Sequence, residues 1–130
     1  MIPKRIVIHH SASARDTTTR NMIRSWHKAK GWKDIGYHFV IEGDGSILLG
    51  RPLNKMGAHA KGANRDSIGI CLTGDNTKPG QKWNAAQRKA CRQLVTALRL
   101  VMPHLTVHGH REVGTTVTTC PGTDNLPGRS

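Results

Sequence analysis

Histidine and cysteine side chains that could bind a metal lie near both ends of this 130-residue sequence. His9 and His10 follow a short β-branched run, His108 and His110 end a second strand-like segment, and Cys120 comes next along the chain. Imidazole nitrogens and a cysteine thiolate are suitable zinc ligands, and three protein ligands with one open position are typical of catalytic zinc. Two histidines and Cys120 would supply that set. Histidines that bind no metal are the alternative.

The alternation of side chains along a strand limits which of these histidines can act together. Consecutive strand residues point to opposite faces, so only one of His9 and His10 can readily face a given site. His108 and His110 are two residues apart and share a face, so both remain candidates. The sequence pattern leaves this choice open.

Four segments have the composition of β structure. The segments "KRIVIH" at 4–9 and "LTVHGH" at 105–110 read as short strands. The segment "SIGICLTG" at 67–74 is the apolar run of a strand covered on both faces. The segment "GYHFVIEGDGSILLGR" at 36–51 has two β-rich runs around Gly43-Asp44-Gly45, which predicts a hairpin. The candidate ligands therefore lie where strands end, a common place for sites.

Two segments have helical periodicity. The first has possible N-caps between Asp16 and Thr19 and ends at Gly31. Its apolar positions recur at helical spacing: Met22, Ile23 and Trp26. The second begins at Asn84 and ends before Pro103. Its apolar face comprises Ala90, Cys91, Leu94, Val95, Leu98 and Met102. Residues 111–130 should form a loop, and the mixture of strands and helices predicts an α/β domain of two or three layers.

The charge of the chain predicts a polyanionic partner. Lys and Arg number 20 against 8 Asp and Glu, giving a formal charge of +12, which suits a nucleic acid, an anionic membrane or a cell-wall polymer. The chain has three Trp, one Tyr and one Phe, and no helix-turn-helix, zinc-finger or RNP-like pattern, so we expect no specific nucleic-acid recognition. No apolar run approaches the roughly 20 residues of a transmembrane segment, and residues 1–10 do not resemble a signal peptide. We therefore expect synthesis in the cytoplasm.

Four segments in order carry a family resemblance: "IVIHHSA", "SWHKAKGWKDIGYHFVI", "GAHAKGANRDSIGICLTG" and "HGHREV…TTCPG". Together they resemble the zinc-dependent N-acetylmuramoyl-L-alanine amidases, which include small phage endolysins and animal peptidoglycan recognition proteins. The matching segments run from about residue 5 to about residue 122, which is most of the chain. The resemblance implies one zinc amidase catalytic domain over residues 1–130, with a central mixed β-sheet flanked by helices.

The resemblance also assigns the metal ligands. His9, His110 and Cys120 correspond to the zinc ligands of the family, and zinc is the implied cofactor. His10 and His108 then take supporting or structural roles. The other two cysteines, Cys71 and Cys91, lie on apolar faces and read as small core residues.

Two further residues match catalytic positions of the family. Tyr37 matches a tyrosine beside the zinc, where a phenol can hydrogen-bond to the oxyanion that develops on the scissile carbonyl. A half-buried strand tyrosine without this role is the alternative. Thr118 matches a position that is lysine in the coliphage-type enzymes and threonine in many recognition proteins. The loop is about two residues longer than in those phage enzymes, so Thr116 or Thr119 could take its place, or Thr118 could be a surface residue.

Residues near the middle of the chain match the substrate cleft of the family. His59, Lys61 and Asn64 are therefore candidates for substrate binding, although a loop histidine without a role is the alternative for His59. Glu112 follows His110 closely enough to suggest a carboxylate that orients a ligating imidazole.

The expected function is hydrolysis of the amide between N-acetylmuramic acid and the L-alanine of the peptidoglycan stem. A phage endolysin suits these features, made in the host cytoplasm and acting in the periplasm after release by a holin. The expected partner is peptidoglycan, an anionic polymer, and we expect a monomer. The alternatives are a protein that binds peptidoglycan without cutting it and a regulator of a phage RNA polymerase. The presence of Cys120 favours the enzyme, because loss of this cysteine is the common sign of the binding-only state.

Overall fold

A five-stranded mixed β-sheet forms the centre of the computed structural model, which describes residues 2–129. The elements in chain order are β1 (Arg5–His10), α1 (Arg20–Ala29), β2 (Phe39–Ile41), β3 (Ile47–Leu49), β4 (Ser67–Leu72), α2 (Ala85–Val101) and β5 (Thr106–Gly109). The strands lie in the order β3-β2-β4-β1-β5, and only β3 runs antiparallel to its neighbour. The expected α/β class, with a mixed sheet flanked by helices, is confirmed.

Helix α2 covers one face of the sheet. Asn84 caps this helix, because its side chain accepts a hydrogen bond from Gln87 N at 2.9 Å while the Gln87 side chain accepts one from Asn84 N. The apolar face predicted for this helix is buried or partly buried against aliphatic residues from all the parallel strands. Ile6, Ile8 and Ile70 are each 0% exposed in this core. Apart from the buried Gln87 amide, which donates to Thr73 O at 2.8 Å, this face is apolar packing, and the candidate ligands lie on the other face.

Helix α1 packs against the opposite face of the sheet. Thr19 is its N-cap, and Ile23 lies in a small core with Ile35, Val40 and Cys71. The helix is confirmed. Of its three apolar positions only Ile23 is buried, whereas Met22 and Trp26 are 40% and 42% exposed. The ten-residue helix α1 buries only a narrow stripe, which consists of Ile23 and His27 at positions i and i+4.

The buried His27 links α1 to the segment that precedes β2. Its Nδ1 accepts a hydrogen bond from Gly36 N at 2.8 Å, and its ring lies 4.6 Å from Trp32 and 5.4 Å from Tyr37, measured between ring centroids. Burial lowers the pKa of His27 to about 4, with smaller contributions from Lys30 and Arg51. The imidazole is therefore held neutral in the folded protein.

Among residues 2–129, no helix combines the length and the apolarity that a membrane crossing requires.

We expect the stability of the fold to decrease in acid through His27. The unfolded chain protonates this imidazole near its ordinary pKa of about 6.5, whereas the folded chain does so only near 4. Between these values the unfolded state binds more protons, so the free energy of unfolding falls as the pH falls. The contribution between pH 7 and pH 5 is about 1–2 kcal/mol.

Urea denaturation of the wild type and of His27→Gln at both pH values measures this contribution. The glutamine amide can still accept from Gly36 N, so the variant isolates the loss of the titrating ring. The free energy of unfolding should fall less in the variant than in the wild type; an equal fall in both would contradict the prediction.

Candidate active site

Parallel pairing of β1 with β5 brings the first two candidate ligands together. The register pairs Ile8 with Gly109, so the next residues, His9 and His110, lie side by side at the carboxyl edge of the sheet. Their ring centroids are 4.6 Å apart. His108 pairs with Val7, one residue before the Ile8–Gly109 pair. Its Nε2 lies 2.8 Å from Thr106 Oγ1. The register therefore selects His110 over His108, a choice that the sequence pattern left open.

Cys120 reaches the two histidines from the loop that follows β5. Arg111 N donates to Cys120 O at 2.8 Å and fixes the backbone of this residue. Cys120 Sγ lies 3.7 Å from His9 Nδ1. One ligand atom from each of His9, His110 and Cys120 lies within 4.8 Å of the others, the one such group of three among the described residues.

The distances fit a zinc ion. Zinc about 2.0–2.1 Å from nitrogen and 2.3 Å from sulfur, at a tetrahedral angle, separates the two ligand atoms by roughly 3.5 Å. The observed separation of 3.7 Å between His9 Nδ1 and Cys120 Sγ is close to this. Three protein ligands leave a fourth tetrahedral position for water or substrate, which is the arrangement of a catalytic zinc site.

The electrostatics of the cluster also suit a cation. Burial lowers the pKa of His9 well below its usual value and lowers that of His110, so both rings are neutral and can offer a lone pair. Burial raises the pKa of the Cys120 thiol to about 12, against smaller opposing effects of His10 and Arg111. A coordinated metal ion deprotonates such a thiol outright.

Tyr37 lies beside the cluster, as the family resemblance implied. Its ring centroid is 5.0 Å from that of His9. Burial raises the pKa of the phenol well above 10, and the neighbouring thiols of Cys71 and Cys120 add to this shift. Tyr37 is therefore a protonated hydrogen-bond donor at neutral pH.

Thr118 lies in the same loop as Cys120 and contacts it directly. Thr118 Oγ1 accepts a hydrogen bond from Cys120 N at 3.1 Å, which leaves the hydroxyl proton free to donate. Thr118 is half-buried, whereas Thr116 and Thr119 are exposed. The geometry therefore favours Thr118 among the three threonines.

His59 lies behind His9 and not on the open side of the cluster. Its Nδ1 is 2.9 Å from His9 Nε2, and its Nε2 is 3.2 Å from Ser67 Oγ. Burial lowers its pKa to about 3, with a further contribution from His38. Both ring nitrogens of His59 thus have protein partners. This arrangement differs from the substrate contact predicted for the residue.

Asn64 also has a partner set within the protein. Its Oδ1 accepts hydrogen bonds from His59 N at 2.8 Å and Ala60 N at 2.9 Å. Lys61 is exposed, and its backbone oxygen accepts from Thr115 N at 2.8 Å. Asn64 therefore holds the loop that carries His59, and Lys61 is the one of the three substrate-binding candidates with an exposed side chain.

The remaining candidates have structural positions. His10 faces away from the cluster, and its Nδ1 accepts from Asn76 N at 3.2 Å. The Glu112 carboxylate accepts from Gly109 N at 2.7 Å and pairs with Arg129. The suggestion that Glu112 orients a ligating imidazole is wrong, because this side chain folds back to the start of its own 3-10 turn.

Ser67 is the site residue that sequence reasoning missed. Its hydroxyl contacts His59, yet a serine at the start of an apolar strand gives no sign of a role. Gly69, inside the same strand, was the available signal, since glycine within a strand often marks the close approach of another group. That group is the His59 ring, which a Cβ at Gly69 would meet at 2.6 Å.

The fold and the site together define a class: a single α/β domain with a mixed sheet and a His, His, Cys donor set at the carboxyl edge of its parallel strands. The profile of the family described as N-acetylmuramoyl-L-alanine amidase (Amidase_2) matches residues 1–123. The chain belongs to this family. The resemblance drawn from its sequence motifs is confirmed, and its reaction is amide hydrolysis in peptidoglycan.

Individual relatives agree with this assignment. The endolysin of Escherichia phage T7 is 38% identical over 124 residues, which cover 92% of this chain and 80% of that protein. Peptidoglycan-recognition protein SC2 of Drosophila melanogaster is 39% identical over 128 residues, which cover 91% of this chain and 67% of that protein.

Solved structures show the same fold. The N-acetylmuramoyl-L-alanine amidase LysC from Clostridium intestinale has a TM-score of 0.83 and 35% identity, over 96% of this chain and 79% of its own. Drosophila PGRP-LB has a TM-score of 0.82 and 30% identity, over 99% of this chain and 84% of its own.

Substitutions of Asn64 distinguish a loop-holding residue from a substrate-binding one. Asn64→Asp keeps an acceptor for both backbone N–H groups, whereas Asn64→Leu leaves them without one. We expect the leucine variant to lose about 2–3 kcal/mol in the free energy of unfolding and the aspartate variant less than about 1 kcal/mol. Thermal and urea unfolding measure this difference. Two variants as stable as the wild type, but with weakened substrate binding, would favour the substrate contact instead.

Proposed function

We propose that the protein is a zinc-dependent endolysin that cleaves the bond between the lactyl group of N-acetylmuramic acid and the L-alanine of the stem peptide. The convergence of ligand atoms from His9, His110 and Cys120 to within 4.8 Å of one another is the observation that carries this proposal. The endolysin of phage T7, which covers most of the chain, supports the lytic role.

Two neutral imidazoles and one thiolate would hold the zinc ion. Zinc in such a site supplies a Lewis acid for the scissile carbonyl and lowers the pKa of a coordinated water from 15.7 to about 7. The protein residues hold the donor atoms in place. His9 is fixed on β1, His110 follows β5, and Cys120 is tied to Arg111 through its backbone.

Two hydroxyl groups, those of Tyr37 and Thr118, would stabilise the developing charge. Hydrolysis adds a hydroxyl to the carbonyl carbon, breaks the bond to the alanine nitrogen and returns a proton to that nitrogen. The carbonyl oxygen carries negative charge in between. Tyr37, as a protonated phenol, donates to this oxygen, and Thr118 donates its free hydroxyl proton from the Cys120 loop.

The chain carries a formal charge of +12. Stem peptides of peptidoglycan carry carboxylates, so this charge would concentrate the enzyme on its polymer. A cavity of about 700 Å³ is lined by cationic and acidic side chains, Lys33, Asp34 and Arg51 among them, and its lining does not include His9, His110 or Cys120.

Digestion of purified Gram-negative sacculi tests the proposed reaction. We expect mass spectrometry to show intact stem peptides that begin at L-alanine, with loss of turbidity abolished by EDTA and restored by zinc. Cys120→Ala should lower the rate by at least about 1,000-fold, because it removes a metal ligand. Cys91→Ala, which removes a buried thiol on the inner face of α2, is the matched control and should keep the activity.

The products also distinguish the alternatives. Cleavage between sugars would overturn the proposal. Sedimentation of the protein with sacculi, without release of peptide, would favour a binding protein. Lysis in EDTA by a protein sample shown to contain no zinc would overturn the zinc dependence.

Substitution of the two hydroxyl residues tests their roles as donors. Tyr37→Phe should lower kcat by about 100-fold or more and leave zinc content unchanged. Thr118→Val should lower kcat by about 10–100-fold. Thr118→Ser keeps the hydroxyl donor and the acceptor for Cys120 N, so it should retain most of the wild-type kcat.

Thr116→Val is the matched control for the threonine series, because this residue is exposed in the same loop. If Thr116→Val were inactive and Thr118→Val active, the second donor would be Thr116 and not Thr118. Zinc content measured on each variant separates loss of the donor from loss of the metal.

A further inference from the structure

A chain of three hydrogen bonds runs from the backbone carbonyl of Ala63, in the turn before β4, to the inner nitrogen of His9. Ser67 Oγ is 2.6 Å from Ala63 O, His59 Nε2 is 3.2 Å from Ser67 Oγ, and His9 Nε2 is 2.9 Å from His59 Nδ1. Ser67 is 0% exposed, and the two rings are 9% exposed or less. The chain ends at His9 Nδ1, on the side of the ring that faces Cys120.

The direction of each hydrogen bond follows from its first member. The Ala63 carbonyl can only accept, so Ser67 must donate its single proton there. Ser67 then has only lone pairs for His59, so His59 Nε2 carries the proton. A neutral imidazole has one N–H, which leaves His59 Nδ1 as an acceptor. His9 must therefore donate from Nε2, and its Nδ1 keeps a lone pair.

We propose that Ser67 and His59 are positioning residues that fix the tautomer of His9 so that Nδ1 offers its lone pair to the metal. This inference rests on the proposed function for the identity of the metal site. The opposite tautomer of His59 would place an N–H against His9 Nε2 and force the His9 proton onto Nδ1, where it would point toward Cys120 and block coordination.

The structure holds the His59 ring in the orientation that this chain needs. A Cβ added to Gly69 on β4 would lie 2.6 Å from the ring, and one added to Gly57 would lie 2.7 Å from it. The two glycines therefore leave a slot for the imidazole against the sheet. Asn64 fixes the backbone of His59 from the other side. A flip of the ring about its Cβ–Cγ bond would put carbon atoms in place of Nδ1 and Nε2 and break both hydrogen bonds of this chain.

The tautomer can be observed directly in the zinc-free protein. In ¹⁵N-histidine-labelled protein, two-bond ¹H–¹⁵N correlations distinguish a protonated ring nitrogen from one with a free lone pair. We expect wild-type His9 to be protonated at Nε2 and His59 at Nε2. In Ser67→Ala the ring of His59 loses its acceptor, so a measurable fraction of His9 should shift to the Nδ1–H tautomer.

Zinc affinity gives the second readout. Competition with a chromophoric chelator should show a Kd raised about 10–100-fold in Ser67→Ala and in His59→Phe, the range for loss of a partner of a metal ligand. His59→Asn should bind within about threefold of the wild type, because its amide oxygen can accept at the position of Nδ1. Thr73→Val is the matched control: it also removes a buried hydroxyl just after β4, but one that donates to Arg15 O.

The outcomes separate this inference from the proposed function. His9 protonated at Nδ1 in the wild type would overturn the inference, as would Ser67→Ala and His59→Phe proteins that fold and bind zinc like the wild type. Equal losses of affinity in Thr73→Val and Ser67→Ala would also overturn it, since they would indicate a general effect of lost stability. A wild-type protein that binds no zinc would overturn the proposed function, while the tautomer measurement would still decide the hydrogen-bond chain.

Discussion

The parallel register between β1 and β5 is the constraint on which the site depends. It pairs Ile8 with Gly109 and thereby sets His9 beside His110 where both strands end. A slip of one residue would turn every side chain of a strand to the other face of the sheet. Such a slip would bury His9 among the aliphatic residues under α2. The apolar core therefore constrains the candidate metal site, because a one-residue slip would remove Ile6 and Ile8 from the core under α2.

The two faces of the sheet divide stability from chemistry. Under α2 the core is mainly apolar, whereas the α1 face carries the rings of His9, His38 and His59. Buried polar groups are costly unless they are hydrogen-bonded. Within residues 2–129 no buried side-chain nitrogen or oxygen lacks a partner; His38, for example, accepts from Gly69 N and contacts Lys55 O. The α1 face can therefore be polar because the other face contributes most of the apolar burial.

Sequence reasoning predicted what depends on local pattern and failed where distant residues meet. The strands, the hairpin and α2 followed from alternation and capping, and the composition of "SIGICLTG" indicated a strand covered on both faces. Local pattern could not choose between His108 and His110, because the answer lies in the register with β1. The roles of His59 and Asn64 depend on hydrogen bonds to ring and backbone atoms. Spacing could not reveal these contacts, and the ligand set came from the family resemblance.

The loop that carries Cys120 couples a proposed metal ligand to the proposed second donor. Thr118 accepts from Cys120 N, while Asn76 Nδ2 donates to Pro121 O and Arg111 N donates to Cys120 O. These contacts fix the loop on both sides of the thiol. Because burial keeps that thiol neutral, a cation is needed to convert it to a ligand. Metal binding would thus set the position of Cys120 and, through one hydrogen bond, that of Thr118, so that the ligand and the donor are placed together.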